Sequence, residues 1–198
     1  SGVNKTDLKK KKFSLYRKSD SFTSADLAGN VIASLFKDKQ GKIWIGHWGK
    51  GLDIYDRETG KIEHYSSHLQ GKQFLPNDFV HSVMEDSAGN IWVGTRDGLV
   101  VFREKTGEFI RPRYLKNPEL PDFEGLRIFR MIQAKNGDYW IATQNGLYRV
   151  RNQSQPERYH SGAPEGQRIS GNLVYTVMED REGAVWVGTT DGLDRINP

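Results

Sequence analysis

Four tryptophans, Trp44, Trp92, Trp140 and Trp186, recur at intervals of 48, 48 and 46 residues. Each sits in one phrase: a turn glycine, a variable residue, an apolar residue, Trp, a second apolar residue, then Gly or Ala. The phrases run Gly41-Lys-Ile-Trp-Ile-Gly, Gly89-Asn-Ile-Trp-Val-Gly, Gly137-Asp-Tyr-Trp-Ile-Ala and Gly183-Ala-Val-Trp-Val-Gly. A fixed period of this length marks an array of one repeated supersecondary unit.

Residues 80 to 114 display the unit most clearly. Val80 to Glu85 reads as a first strand, Asp86 to Gly89 as a tight turn, Ile91 to Thr95 as a second strand and Arg96 to Gly98 as a second turn. Leu99 to Arg103 makes a third strand. Glu108 to Tyr114 makes a fourth, in which Pro112 is tolerated because an outer strand need not donate every ladder bond. The same order recurs from Val31, Ile128 and Val174, and no stretch carries apolar positions at helical spacing. The second strands, such as Ile43-Trp44-Ile45, are apolar without alternation, so both faces of each sheet must be covered. The predicted fold is therefore all-β: a β-propeller of four-stranded antiparallel blades, about four in this chain. Trp44, Trp92, Trp140 and Trp186 are expected to pack between blades. Asp38, Asp86 and Asp180 stand three residues before a turn glycine and read as caps of backbone N–H groups. No Asp-x-Asp-x-Asp-Gly spacing supports calcium, and Ala134 replaces the aspartate in the third unit.

The unit boundaries divide the chain into residues 1–10, a tag scar and flexible lead; 11–17, an orphan outer strand; 31–65, 80–114 and 128–159, blades 1 to 3; and 174–198, a fourth blade lacking its own outer strand. The series Tyr16, Tyr65, Tyr114 and Tyr159 carries the orphan-strand expectation, because the last three end outer strands. Two closures follow. Residues 11–17 complete the last blade of the same chain, or a homodimer closes a larger ring head to tail. An excerpt of a larger, seven-bladed propeller is the favoured source, with self-closure favoured for the isolated chain.

Zero cysteines exclude disulfides, thiolate metal sites and cysteine nucleophiles. The net charge of +4 would vanish without Lys9, Lys10, Lys11 and Lys12, which read as a solvated flank rather than a nucleic-acid or lipid tether. No apolar run reaches the roughly 18 residues of a spanning helix. The segment is thus expected to contact neither nucleic acid nor membrane.

The phrase Asp-x-x-Gly-x-apolar-Trp-apolar-Gly-Thr-x-x-Gly-Leu, at Asp86 to Leu99 and Asp180 to Leu193, resembles the two-component regulator propeller repeat. The resemblance covers residues 31 to 198. It implies the extracytoplasmic, periplasmic sensor region of a hybrid two-component histidine kinase, of the kind by which Bacteroides-like bacteria sense polysaccharide fragments. Any kinase activity then belongs to a parent protein. Intact sensors of this type usually carry two seven-bladed propellers, a small β-sandwich, a membrane helix and the kinase. The third unit departs from the pattern through Ala134 and Ala142, and the first has an extra residue after Trp44.

In a meander, the turns between strands two and three share a face with the long connections between blades, about 66–79, 115–127 and 160–173. That face collects the variable residues and holds the candidate ligand contacts: His47, Trp48, Lys50, Arg96, Asp97, Gln144, Asn145, Thr190 and Asp191. Trp48 is the only tryptophan out of period. An aromatic plane beside cationic groups suits a sugar ring or an acidic sugar, and packing against a neighbouring loop is the competing role. His64 and His68 straddle a strand end and do not make a metal pair. No nucleophile, base and orienting group converge, so the segment is expected to be no enzyme, to need no cofactor, and to bind an oligosaccharide or other small ligand. A dimerisation scaffold and a propeller lyase like the streptogramin lyases are the alternatives.

Overall fold

A computed structural model describes residues 15–18, 26–70, 74–112, 123–151 and 155–197. These form four antiparallel sheets with no α-helix among them. Blade 1 comprises β1 (Ile32–Lys37), β2 (Ile43–His47), β3 (Leu52–Tyr55) and β4 (Ile62–Tyr65). Blade 2 holds β5 (Val80–Glu85), β6 (Ile91–Thr95), β7 (Gly98–Arg103) and β8 (Glu108–Ile110). Blade 3 holds β9 (Ile128–Gln133), β10 (Tyr139–Thr143), β11 (Gly146–Val150) and β12 (Glu157–Tyr159). Blade 4 has three strands among the described residues, β13 (Val174–Glu179), β14 (Val185–Thr189) and β15 (Leu193–Ile196). Every sheet is a meander in sequence order, so the chain is a four-bladed β-propeller array. The fourth strand of blade 2 stops at Ile110, short of the expected Tyr114. Pro112 has no N–H to continue the ladder, and residue 114 lies outside the described residues.

The turn aspartates have a second task that the sequence pattern does not reveal. Asp86 Oδ1 accepts the N–H groups of Ala88 and Asn90 at 3.0 and 2.8 Å, while Oδ2 accepts Trp92 Nε1 at 2.8 Å. Asp38 holds Trp44 Nε1, and Asp180 holds Trp186 Nε1, each at 2.8 Å. The carboxylate thus caps the turn and satisfies the indole, which in blades 1 and 2 the next blade buries. Blade 3 has Ala134 at this position, and Trp140 Nε1 has no acceptor. Its ring instead carries the Arg149 guanidinium, 5.1 Å from the centroid, which Asp138 fixes through a 2.6 Å bond.

Three apolar clusters lie between successive blades. Trp44 and Leu52 meet Val80, Val83 and Val93; Trp92 and Leu99 meet Ile128, Met131 and Ile141; Trp140 and Leu147 meet Val174, Val177 and Val187. The residue after each tryptophan pair must be small for the next inner strand to approach. A Cβ on Gly94 would stand 2.6 Å from Ile128 Cγ2, and one on Gly46 would stand 2.7 Å from the Val80 carbonyl. Among the described residues, the two end faces of the array are uncovered. Leu35 on β1 is 68% exposed and Met178 on β13 is 56% exposed, while their counterparts Val83 and Met84 are buried. Trp186 is accordingly half-buried, unlike the three tryptophans inside the array.

The proposed outer strand at 11–17 lies mostly outside the described residues. Residues 15–18 are not in a strand, and the Tyr16 ring lies against Tyr55 of blade 1 at 5.5 Å.

Candidate ligand-binding face

One backbone device recurs at the mouth of every blade. The first residue of the turn between strands two and three donates its N–H to the carbonyl of the residue just before the inner strand. The pairs are Trp48 to Val31 (3.0 Å), Arg96 to Phe79 (3.0 Å), Gln144 to Arg127 (3.2 Å) and Thr190 to Leu173 (3.1 Å). Two residues further along each inner strand the register slips, at Ala33, His81, Phe129 and Tyr175. A bulge re-aims its side chain out of the ladder.

Three of those re-aimed side chains, with Trp48 of blade 1, touch one another across the blades. Trp48, 56% exposed, stands edge-on to Phe79 at 5.5 Å and to His81 at 5.2 Å. His81 lies 5.9 Å from Phe129, and Phe129 lies 5.0 Å from Tyr175. The row Trp48, His81, Phe129, Tyr175 therefore crosses all four blades. Ring pairs at these distances contribute about 0.5–1.5 kcal/mol each beyond their area. Two guanidiniums cover the row: Arg96 over Phe79 at 5.2 Å and Arg127 over Phe129 at 5.6 Å. Burial pushes the His81 imidazole below its ordinary pKa, and the positive charges of Arg127 and Arg96 push it the same way. His81 Nε2 and Arg127 Nε are buried without a hydrogen-bond partner.

The residues expected at this face divide. Trp48 and Arg96 stand on it. His47 is a correction: it is fully buried, with Nε2 2.7 Å from Asp53 Oδ2. It occupies the strand position filled by Thr95, Thr143 and Thr189 in the other blades. Thr95 and Thr143 bond there to the carbonyls of Gly98 and Gly146. In blade 1 the larger imidazole fills the pocket and needs the buried Asp53 carboxylate, which also accepts from Ala28 N and meets His64 Nδ1 at 2.7 Å. Lys50 turns to a separate open cavity beside blade 1, which Lys18, His64 and His68 also line. Asp97 accepts the Gly125 N–H, Gln144 donates to the Gly125 carbonyl, and Asn145 is engaged by Arg158. Thr190 donates to Asp191 at the exposed rim of blade 4. His64 and His68 go to different carboxylates, Asp53 and Asp78. No group of three or more metal-ligating side chains occurs among the described residues.

Phe79, His81, Arg127, Phe129 and Tyr175 were not anticipated. The available signal was an aromatic directly after the first buried residue of the inner strand, in Val80-His81, Ile128-Phe129 and Val174-Tyr175. It becomes visible only when the repeats are aligned on their inner strands.

Fold and mouth together define a propeller array whose frame is repeated and whose rim varies. The model of the two component regulator propeller family matches residues 26–49, 75–97 and 168–191, in blades 1, 2 and 4. Histidine kinase P4 of Formosa agariphila is 36% identical over 89 residues, covering 43% of this chain and 6% of that protein. The extracellular domain of the hybrid two-component system BT4673 from B. thetaiotaomicron superposes with a TM-score of 0.70 at 26% identity, over 87% of this chain and 22% of that domain. The chain therefore spans a small part of both relatives. Virginiamycin B lyase from Staphylococcus aureus, at 17% identity and a TM-score of 0.58 over 82% of this chain and 51% of the lyase, shares the fold.

Proposed function

We propose that this segment is a non-enzymatic ligand-sensing part of a two-component signalling receptor, an excerpt of a larger extracytoplasmic propeller that detects a carbohydrate or other small ligand. The family repeats and the likeness to an extracellular domain of a hybrid two-component system support the receptor assignment. The aromatic row at the mouth carries the binding assignment. Trp48 makes edge-on contacts to Phe79 and His81 yet remains 56% exposed, and an exposed indole plane covers the C–H faces of sugars. Titration of the isolated protein with a panel of neutral and acidic oligosaccharides, followed by tryptophan fluorescence, tests it. Binding by at least one saccharide is expected, with Trp48→Ala abolishing it while the protein stays cooperatively folded, its Tm lowered by a few degrees. A panel without any binder, or one that Trp48→Ala binds unchanged, removes this assignment.

A second reading, a dimerisation scaffold, is favoured by the two end faces. Ile32 and Leu35 occupy the positions of Val80 and Val83, and Met178 and Gly188 those of Met84 and Gly94, so the faces are complementary in the manner of the internal interfaces. A second copy of the chain then docks head to tail. Light scattering checks this: a dimer that Leu35→Glu dissociates is expected, and a monomer at high concentration rejects it.

A further inference from the structure

Cations are not evenly partnered in this molecule. Arg149 stands against Asp138, Arg151 against Glu157 and Arg195 against Glu182. Among the described residues Arg96 and Arg127, the two guanidiniums of the mouth, have no carboxylate partner. Each lies over an aromatic ring of its own blade, and Trp48 and His81 fill the space between those rings. The positive charges of both push the His81 pKa down. Arg127 Nε and His81 Nε2 are buried without a bond. A desolvated donor such as the Arg127 Nε–H costs about 1–3 kcal/mol when it lacks an acceptor, a cost that an arriving acceptor removes.

Covering an aromatic ring explains an arginine over Phe79 or Phe129 by itself. It does not explain two guanidiniums without carboxylate partners flanking one row of rings, nor a guanidinium N–H left unmatched beside an exposed tryptophan. An anion matches all of these at once. Guanidinium binds carboxylate and sulfate through paired N–H donors, and stacking on a ring holds its fork in plane without using those donors. Trp48 beside it supplies the apolar plane.

We propose that the mouth of the array binds an acidic saccharide, whose carboxylate or sulfate is taken by Arg96 and Arg127 beside His81 while one sugar face lies on Trp48. This rests on the sensing role proposed above and narrows its ligand. A neutral sugar would leave both charges uncompensated; an acidic one neutralises the site.

The test titrates the chain, by calorimetry, with trigalacturonate, a sulfated galactose trisaccharide and unmodified galactotriose. At least one acidic probe is expected to bind, and galactotriose at least about tenfold more weakly. Arg96→Gln and Arg127→Gln should each weaken the acidic probe about tenfold or more, as should raising salt from about 50 to about 500 mM. Arg57→Gln, in the β3–β4 turn at the opposite end of blade 1, should leave it unchanged. The two acidic arms distinguish carboxylate from sulfate. Galactotriose binding as well as the acidic probes, lost in Trp48→Ala but indifferent to both arginine variants, overturns the acidic assignment and leaves the sensing role standing. Binding by none of the three overturns the acidic assignment, and the wider panel then decides the sensing role.

Discussion

Trp92 donates its indole N–H to Asp86 at 2.8 Å, and the same carboxylate oxygen receives the Tyr139 hydroxyl from blade 3 at 3.1 Å. One aspartate thus caps its own turn, satisfies the tryptophan that the next blade covers, and reaches that blade directly. Burial alone would push the Asp86 carboxyl up, but the bonds from Asn90, Trp92 and Tyr139 outweigh it and hold the group below its ordinary value.

Asp86→Ala is therefore expected to cost about 3 kcal/mol in urea unfolding, because a buried indole N–H and two turn N–H groups lose their acceptor. The pH sign follows from the depressed value. The stabilisation is complete above the unfolded carboxyl's pKa near 3.8 and drains away as pH falls through the lower folded value. Asp86→Asn should flatten that acid limb, and an unchanged limb would show that Asp86 does not contribute to it.

Blade 3 offers the converse experiment. Ala134 leaves Trp140 Nε1 without an acceptor, so Ala134→Asp should restore the pair found in the other blades and gain about 1 kcal/mol. A rise in Tm with a protected indole N–H in hydrogen exchange is expected. A fall would mean that the new carboxylate is repelled by Asp138 more than it is stabilised by Trp140.

Close approach between blades makes the glycine after the tryptophan pair unequal across the array. Gly94→Ala drives a methyl into Ile128 and should cost about 1–3 kcal/mol. Gly188 meets only a Thr176 methyl group from its own blade, so Gly188→Ala should cost less than Gly94→Ala in the same denaturation series. Equal costs would mean that the uncovered face of blade 4 is occupied in solution.

The blades were legible because Trp, turn Gly and the apolar second strand are frame positions, forced by burial on both faces. Their inner strands begin within a residue of where the pattern puts them, as at Val80, Ile128 and Val174. The candidate face was less legible. A position in a turn does not say where its side chain goes: His47 enters the blade because Asp53, on the next strand, waits there for it. His81, Phe129 and Tyr175 reach the mouth only because each inner strand bulges at that residue, and a bulge leaves no mark in a hydrophobic pattern. Arg96 was found by its turn; Arg127, one loop away, acquires meaning only from the ring it covers.

His81 supplies a last prediction. Its folded pKa lies below the ordinary 6.5, through burial first and then the charges of Arg127 and Arg96. Below about pH 6.5 the unfolded chain thus binds a proton that the folded chain refuses, so stability should fall as pH drops from 6.5 towards the folded value and stay level above it. Unfolding at closely spaced pH values measures the slope, and His81→Phe should erase it while preserving the ring contacts to Trp48 and Phe129. An acid group seated on Arg96 and Arg127 would offset their field and raise the His81 pKa. Binding of an acidic saccharide in this window should then take up protons, seen as a dependence of the calorimetric heat on buffer ionisation enthalpy. A neutral saccharide should show no such dependence, and the same heat in every buffer for both would show that no anion reaches His81.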